Sequence, residues 1–334
     1  MGTFRILYFR EKGMKLKGKN ILVVGGAGFI GSHIVDLLLK EEDVANVIIY
    51  DNFCRGTREN LKESLKDKRC SIFNIGGDIL QSDILNEAMK HSDGVIHLAA
   101  LWLLQCQDFP RSAFDVNIRG TFNVLESCVN NDIERLVYSS SASVYGDAVE
   151  VLMTEDHPYN NWIFYGTTKI ASEHMFKAFY KRYDLEGVSL RYMNVYGSRQ
   201  DFKGAYTSVI MKAIDNILAG KPPIVFGDGS QSFDFIDVRD VARANICSLK
   251  SDMPFGFYNI GSGVKTSIKE IVEMLLRILE SNLEIQYEPS GQTFVTNRVG
   301  STDAAEKDLD FKYEILLEEG LKTLIKWRTS VNTI

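Results

Sequence analysis

Four uninterrupted apolar residues, Ile21 to Val24, lead into Gly25-Gly26-Ala27-Gly28 and then into an apolar stripe at helical spacing, Ile30, Ile34, Val35, Leu37 and Leu38. A strand apolar at every position suits a sheet covered on both faces, and the stripe suits a helix lying on that sheet. The pattern repeats. Residues 44–50 and 71–75 read as strands, a short helix runs through Ile84, Leu85 and Met89, and residues 94–100 form a fourth strand ending in small side chains. A helix over 112–130 carries Phe114, Ile118, Phe122, Leu125 and Val129 on one side. Residues 136–141 then form a fifth strand, 164–183 a long helix and 187–192 a sixth strand. Such alternation predicts an α/β fold with a doubly wound parallel sheet, right-handed crossovers and ligands off the carboxyl ends of the strands.

Beyond Asn194 the alternation loosens. Pro222-Pro223 and Gly227-Asp228-Gly229-Ser230 interrupt it, and only a strand at 257–260 and an amphipathic helix at 268–279 stand out. A smaller C-terminal α/β lobe is expected here, closing over a substrate. The division is a cofactor domain at 14–195 and a substrate lobe at 196–330, with a blurred boundary and interleaved lobes.

Composition narrows the function classes. A net charge of −6, from 38 Lys+Arg against 44 Asp+Glu, argues against nucleic acid as a partner. Five scattered cysteines without a C-x-x-C pair argue against a disulfide framework or a zinc site and point to a reducing cytoplasm. No paired-histidine spacing suggests a metal. Residues 1–13 lack the apolar core of a signal peptide, and Met14 is the expected natural start. No apolar run is long enough to span a membrane.

The glycines carry the first chemistry. Gly26, Gly28 and Gly31 satisfy G-x-G-x-x-G, and Gly25, Gly28 and Gly31 satisfy G-x-x-G-x-x-G. Between a strand and a helix, such a loop brings free N–H groups and the positive end of the helix dipole against a pyrophosphate. Asp51 ends the second strand 20 residues beyond Gly31, where a carboxylate binds ribose hydroxyls and repels a 2′-phosphate. Arg55 and Arg58 would favour a 2′-phosphate; Asp51 outweighs them, and NAD is the expected cofactor of a Rossmann-like domain. Tyr165 and Lys169 stand at i and i+4 on one helix face. A neighbouring cation is expected to lower the phenol by about 1–3 units from its usual ~10, making it a base. Ser141, ending the fifth strand, completes a Ser/Tyr/Lys set; Ser139 and Ser140 by themselves suit a strand end.

With these residues in place, the chain resembles the extended short-chain dehydrogenase/reductases from residue 19 to about 328. Within them it is most similar to the NAD-dependent nucleotide-sugar epimerases and dehydratases, the UDP-glucose 4-epimerases above all. The resemblance makes Gly25, Gly28, Phe29 and Ile30 the cofactor loop, Asp51 and Asn52 the ribose site, Asp78 and Ile79 the adenine site, and Gly56 a further cofactor contact. Leu98, Ala99 and Ala100 face the nicotinamide, and Asn117, Ser139, Tyr165, Lys169 and Tyr192 are further cofactor contacts. It makes Ser141, Tyr165 and Lys169 catalytic, and Ser141, Tyr165 and Asn194 substrate-binding.

The activity implied is inversion at C4 of a nucleoside-diphosphate sugar, UDP-hexose above all, through a 4-keto intermediate. A homodimer through 112–130 and 164–183 is implied as well. Dehydratases of the family carry Asp-Glu where Ala142-Ser143 stand. Three departures matter: Val24 replaces a threonine, Phe233 replaces a diphosphate-binding arginine, and no second arginine appears near Gly291-Gln292. Arg199 or Arg298 is the expected replacement. The apolar run Leu101 to Cys106 shapes a pocket for a deoxy or acylated sugar, or else is core or dimer contact. The alternatives are a nucleotide-sugar reductase, dehydratase or decarboxylase and, in another class, a non-catalytic NAD-binding regulator.

Overall fold

From Ile21 onward β1 (Asn20–Val24) is buried, and it is an interior strand of the main sheet. The computed structural model describes residues 13–41, 43–150, 152–202, 208–289 and 295–331; residues 1–12 and Gly291-Gln292 lie outside these. After β1 come α1 (Phe29–Lys40), β2 (Asn46–Tyr50), β3 (Cys70–Ile72), α2 (Ser82–Met89), β4 (Gly94–His97), α3 (Leu103–Asp108), α4 (Pro110–Ala113) and α5 (Thr121–Asn130). Then follow β5 (Arg135–Ser141), α6 (Phe164–Tyr183), β6 (Gly187–Tyr192), β7 (Asn194–Tyr196), α7 (Val209–Leu218), β8 (Ile224–Phe226), β9 (Ser232–Asp237) and α8 (Val238–Lys250). The chain ends with β10 (Phe255–Ile260), β11 (Lys265–Ser267), α9 (Ile268–Ile278), β12 (Gln286–Glu288), β13 (Asn297–Arg298), α10 (Asp303–Leu309) and α11 (Leu317–Val331).

Seven parallel strands lie in the order β10-β6-β5-β4-β1-β2-β3, the expected doubly wound sheet. Side chains alternate between its faces. Ile21, Val23, Ile49, Ile96 and Val137 join one core with residues of α1 and α8; Leu22, Val24, Tyr50, Val95 and Leu136 join another with residues of α2 and α5. Val24 is fully buried there, so an apolar side chain fits where a threonine was expected. The winding reverses between β1 and β4, and sheets of this kind hold ligands outside the carboxyl ends of the strands at such a reversal.

Two features differ from the sequence expectation. The helix expected over 112–130 widens into a π-helical turn at Phe114–Gly120 between α4 and α5, a distortion common at functional sites. Beyond Asn194 the chain is far more ordered than its pattern indicates. It forms a small sheet in which β9 pairs with β7, β11 and β13, and a third core assembled from α7, α9 and α11. Strand β10 returns to the main sheet beside β6. None of the helices among the described residues is long and apolar enough to cross a membrane.

Candidate active site

At the end of β1, Gly25 adopts φ +86°, a left-handed conformation, and a Cβ there would lie 2.8 Å from the Ala99 nitrogen. A Cβ on Gly31 would lie 2.2 Å from the Gly25 oxygen, so the loop closes tightly only with glycine at both positions. Gly28 caps α1, whose first turn of Phe29, Ile30 and Gly31 holds no acidic side chain and leaves its positive end for an anion. Leu98 and Ala99 both donate N–H bonds to the Val24 oxygen, at 2.8 and 3.2 Å, which sets Leu98-Ala99-Ala100 against the glycine loop.

Asp51 accepts the Ala27 N–H at 2.9 Å and the Phe53 N–H at 2.8 Å, and burial raises its carboxyl above the usual range. Asp51, Asn52 and Asp78 line a cavity of about 540 Å³. Next to Asp78, Ile79 is buried, and Gly56 sits against Ala27. The two arginines differ: Arg58 lines the cavity, whereas Arg55 pairs with Asp201 at 3.1 Å and lies 5.7 Å from the Trp102 ring centroid. A glycine cradle, an acid at the ribose position and an adjoining cavity fit NAD.

Beside this cradle lies the Ser/Tyr/Lys group. The Ser141 hydroxyl, ending β5, accepts the Ser143 N–H at 3.1 Å and lies near enough to the Tyr165 phenol, in the first turn of α6, to pull its pKa down. One turn further along α6, Lys169 is 3% exposed and donates to the Ser139 carbonyl at 2.6 Å; its Nζ lies 5.8 Å from the Tyr165 ring centroid. One expectation is corrected. Burial raises the Tyr165 phenol above its ordinary value, and the pull of Ser141 and Arg298 does not offset it. Burial also brings the Lys169 ammonium down to about 8. The helical spacing brought the pair together, but desolvation outweighs the cation in this apolar setting.

Several expected cofactor contacts hold one another. The Ser139 and Tyr192 hydroxyls bond at 3.0 Å, and Asn245 donates to Tyr192 at 2.8 Å. Asn117, in the π-helical turn, accepts the Leu101 N–H at 2.7 Å and donates to the Leu101 carbonyl at 3.0 Å and to Thr168 at 3.1 Å. It thereby ties the segment after β4 to α6. In that segment Leu101 to Leu104 are half-buried, and Cys106 is buried close enough for its charged form to act on both Tyr165 and Lys169. Nothing in the spacing of Cys106 signals that position.

On the substrate side, strand register does the placing. Phe235 pairs with Asn194 and Phe233 with Arg298, so Asn194 and Arg298 share one face of the small sheet with two phenylalanines between them. The Arg298 side chain is buried. Its Nη1 meets Ser143 Oγ at 3.4 Å, its Nε has no hydrogen-bond partner, and among the described residues it has no ion-pair partner. A buried cation without an anion is costly, and desolvation lowers it to about 10. Arg199 is placed elsewhere than expected: its guanidinium pairs with Asp36 of α1 at 2.6 Å, while Arg298 is the arginine whose charge acts on Tyr165.

A family model described as the NAD dependent epimerase/dehydratase family matches residues 21–261. A Methanocaldococcus jannaschii protein provisionally named a UDP-glucose 4-epimerase is 37% identical, over 93% of this chain and 99% of its own. The solved UDP-N-acetylglucosamine 4-epimerase of Methanobrevibacter ruminantium, in complex with UDP-N-acetylmuramic acid, superposes with TM-score 0.88 at 35% identity, covering 94% of this chain and 99% of that one. The UDP-glucuronic acid 4-epimerase of Bacillus cereus, solved with UDP-glucuronic acid and NAD, gives TM-score 0.85 at 28% identity, covering 93% and 99%. With its glycine cradle, its Asp51 and the Ser/Tyr/Lys group set in this sheet, the chain belongs to the NAD-dependent epimerase/dehydratase family.

Proposed function

We propose that this chain is an NAD-dependent epimerase that inverts C4 of a nucleoside-diphosphate sugar, with a UDP-hexose as substrate. The observation that carries the reading is Arg298, a buried guanidinium lacking an anion, which meets Ser143 Oγ at 3.4 Å and whose charge acts on the Tyr165 base. A diphosphate there supplies the missing charge and delivers its sugar to Tyr165.

NAD, when bound in the glycine cradle, supplies the acceptor for the C4 hydride and the donor that returns it. Tyr165 removes the proton of the C4 hydroxyl, Ser141 bonds the same oxygen, and the Lys169 charge favours the phenolate. Inversion requires the 4-keto sugar to turn over, and a grip confined to the diphosphate end, Arg298 with Asn194, leaves it free to do so. Ser143 bonds Arg298 where the resemblance puts a dehydratase carboxylate, which supports epimerisation over loss of water.

Incubation with UDP-glucose or UDP-N-acetylglucosamine, without added NAD, is expected to yield the 4-epimer, with NAD released when the protein is denatured. A stoichiometric requirement for added NAD would instead favour a dehydrogenase or reductase.

We read residues 14–195 as the cofactor domain and 196–330 as the substrate lobe; the return of β10 to the main sheet supports their interleaving. All five cysteines are free thiols, which supports a reducing cytoplasm. Phe114 at 51% exposure, Phe122 at 41%, Phe164 at 37% and Tyr183 at 42% support a homodimer through 112–130 and 164–183. Sedimentation is expected to give a dimer, and Phe122→Asp a monomer; a wild-type monomer at micromolar concentration would exclude this interface.

A further inference from the structure

Arg298 is the second residue of a two-residue strand, and what fixes that strand is a carboxylate the reaction does not use. Asp147 follows Gly146 in the turn that leaves the Ser141 strand end. Its Oδ1 accepts the N–H groups of Thr296 and Asn297, each at 2.9 Å, and its Oδ2 accepts the Thr296 hydroxyl at 2.8 Å. Backbone bonds continue the join on both sides of Arg298, from Ala148 N–H to the Asn297 oxygen at 3.2 Å and from Met153 N–H to the Val299 oxygen at 2.9 Å.

These contacts put the Asp147 charge near the Arg298 guanidinium without pairing the two. The carboxylate is spent on the backbone that precedes Arg298, and the guanidinium keeps its Nε without a partner. A direct ion pair would have satisfied the arginine and competed with an incoming anion. An arginine held in place without being neutralised loses less entropy when it binds a ligand. The same turn belongs to the segment that carries Ser141 and Ser143, so one carboxylate sets the distance between the diphosphate grip and the reacting end of the site.

We propose that Asp147 is a positioning residue for substrate binding: by clamping Thr296 and Asn297 it holds the Arg298 guanidinium beside the Ser141 segment, aimed at the diphosphate of the nucleotide sugar. This rests on the reading of Arg298 as the diphosphate ligand. Asp147 therefore acts on affinity for the nucleotide and not on the chemical step or on NAD.

The test uses the full-length protein with its bound NAD, and UDP as the probe in calorimetric titration. Asp147→Ala is expected to weaken UDP binding about tenfold, the equivalent of one or two lost hydrogen bonds. The KM for the nucleotide sugar should rise with it, while kcat and NAD content stay near wild type. Asp147→Asn keeps an oxygen for the two backbone N–H groups and should recover most of the affinity. An unchanged UDP Kd in Asp147→Ala, or loss of NAD in step with UDP affinity, overturns the proposal. Should Asp147→Ala not fold, Thr296→Val carries the same decision: a raised Kd with NAD retained supports the clamp, and an unchanged Kd overturns it. Arg298→Gln separates the two levels. If it binds UDP like wild type, the diphosphate reading fails; if it loses UDP while Asp147→Ala does not, only the positioning role fails.

Discussion

Tyr165→Phe is expected to lower the rate of 4-epimer formation by about 10²–10⁴, the usual contribution of a positioned acid–base group, while leaving NAD content and UDP affinity unchanged. The substitution removes one oxygen and keeps the ring that packs in the first turn of α6. Its effect falls on kcat because the phenol has to take and return a single proton, and the Ser141 hydroxyl, with a far higher pKa, cannot replace it. The pH profile gives a second check. Burial holds the phenol above its ordinary value and brings Lys169 to about 8, so the first proton lost from the pair leaves near pH 8. That proton belongs to the pair: the singly deprotonated state includes the phenolate beside an ammonium, the form that accepts the sugar proton. The rate of the chemical step should therefore rise with pH toward about 8 and then level, and the positive ring of bound NAD would shift this limb to lower pH. In Lys169→Met the limb should move upward toward the raised pKa of the phenol alone. A Tyr165→Phe enzyme with wild-type kcat, or a wild-type rate that falls as pH rises toward 8, would remove Tyr165 from the role of base.

The cofactor half was legible because backbone geometry dictates its residues. Gly25 and Gly31 are glycine since a Cβ collides, and Asp51 directly follows the last residue of β2, at the carboxyl end of the second strand. Spacing on one helix likewise brought Tyr165 and Lys169 together. It could not show that the Lys169 ammonium is drawn to the Ser139 carbonyl, because that contact joins α6 to β5. The same limit applies to Arg199 and Arg298, whose roles differ by a partner on α1 in one case and a strand register in the other. Strand β9 was missed for a different reason. Asp234 and Asp237 are buried in it, Asp234 accepting the N–H groups of Ser262 and Gly263 and Asp237 capping α8 through the Arg239 N–H. Partnered acids at core positions break an apolar pattern without breaking the core. The π-helical turn at Asn117 was hidden similarly, since its side chain is engaged with Leu101 across a loop.

The largest loss of stability is expected from Glu173→Ala. Glu173 and Arg191 are 0% and 1% exposed, and they meet in a two-point pair, Nε to Oε1 at 2.9 Å and Nη2 to Oε2 at 2.8 Å. Ser140 adds a third bond to Glu173 at 2.6 Å, so the carboxylate fastens α6 to both β5 and β6 directly behind the Ser/Tyr/Lys group. Removing it leaves a guanidinium buried without an anion, which costs about 3–5 kcal/mol. At roughly 2–4 °C per kcal/mol for chains of this order, the melting temperature should fall by about 10 °C or somewhat more. Replacing the pair by apolar residues often costs little, yet here Arg191 also donates to the Tyr145 hydroxyl and the Glu155 carbonyl, both at 2.8 Å. The double variant Glu173→Leu with Arg191→Met therefore orphans those acceptors and should regain only part of the loss. Calorimetric melting of the three proteins decides the point. A Glu173→Ala protein that melts within a degree or two of wild type would mean that water or a rearranged partner satisfies Arg191. In that case the anchor for Lys169, one turn away on the same helix, would have to be sought in its bond to the Ser139 carbonyl and in Asn117.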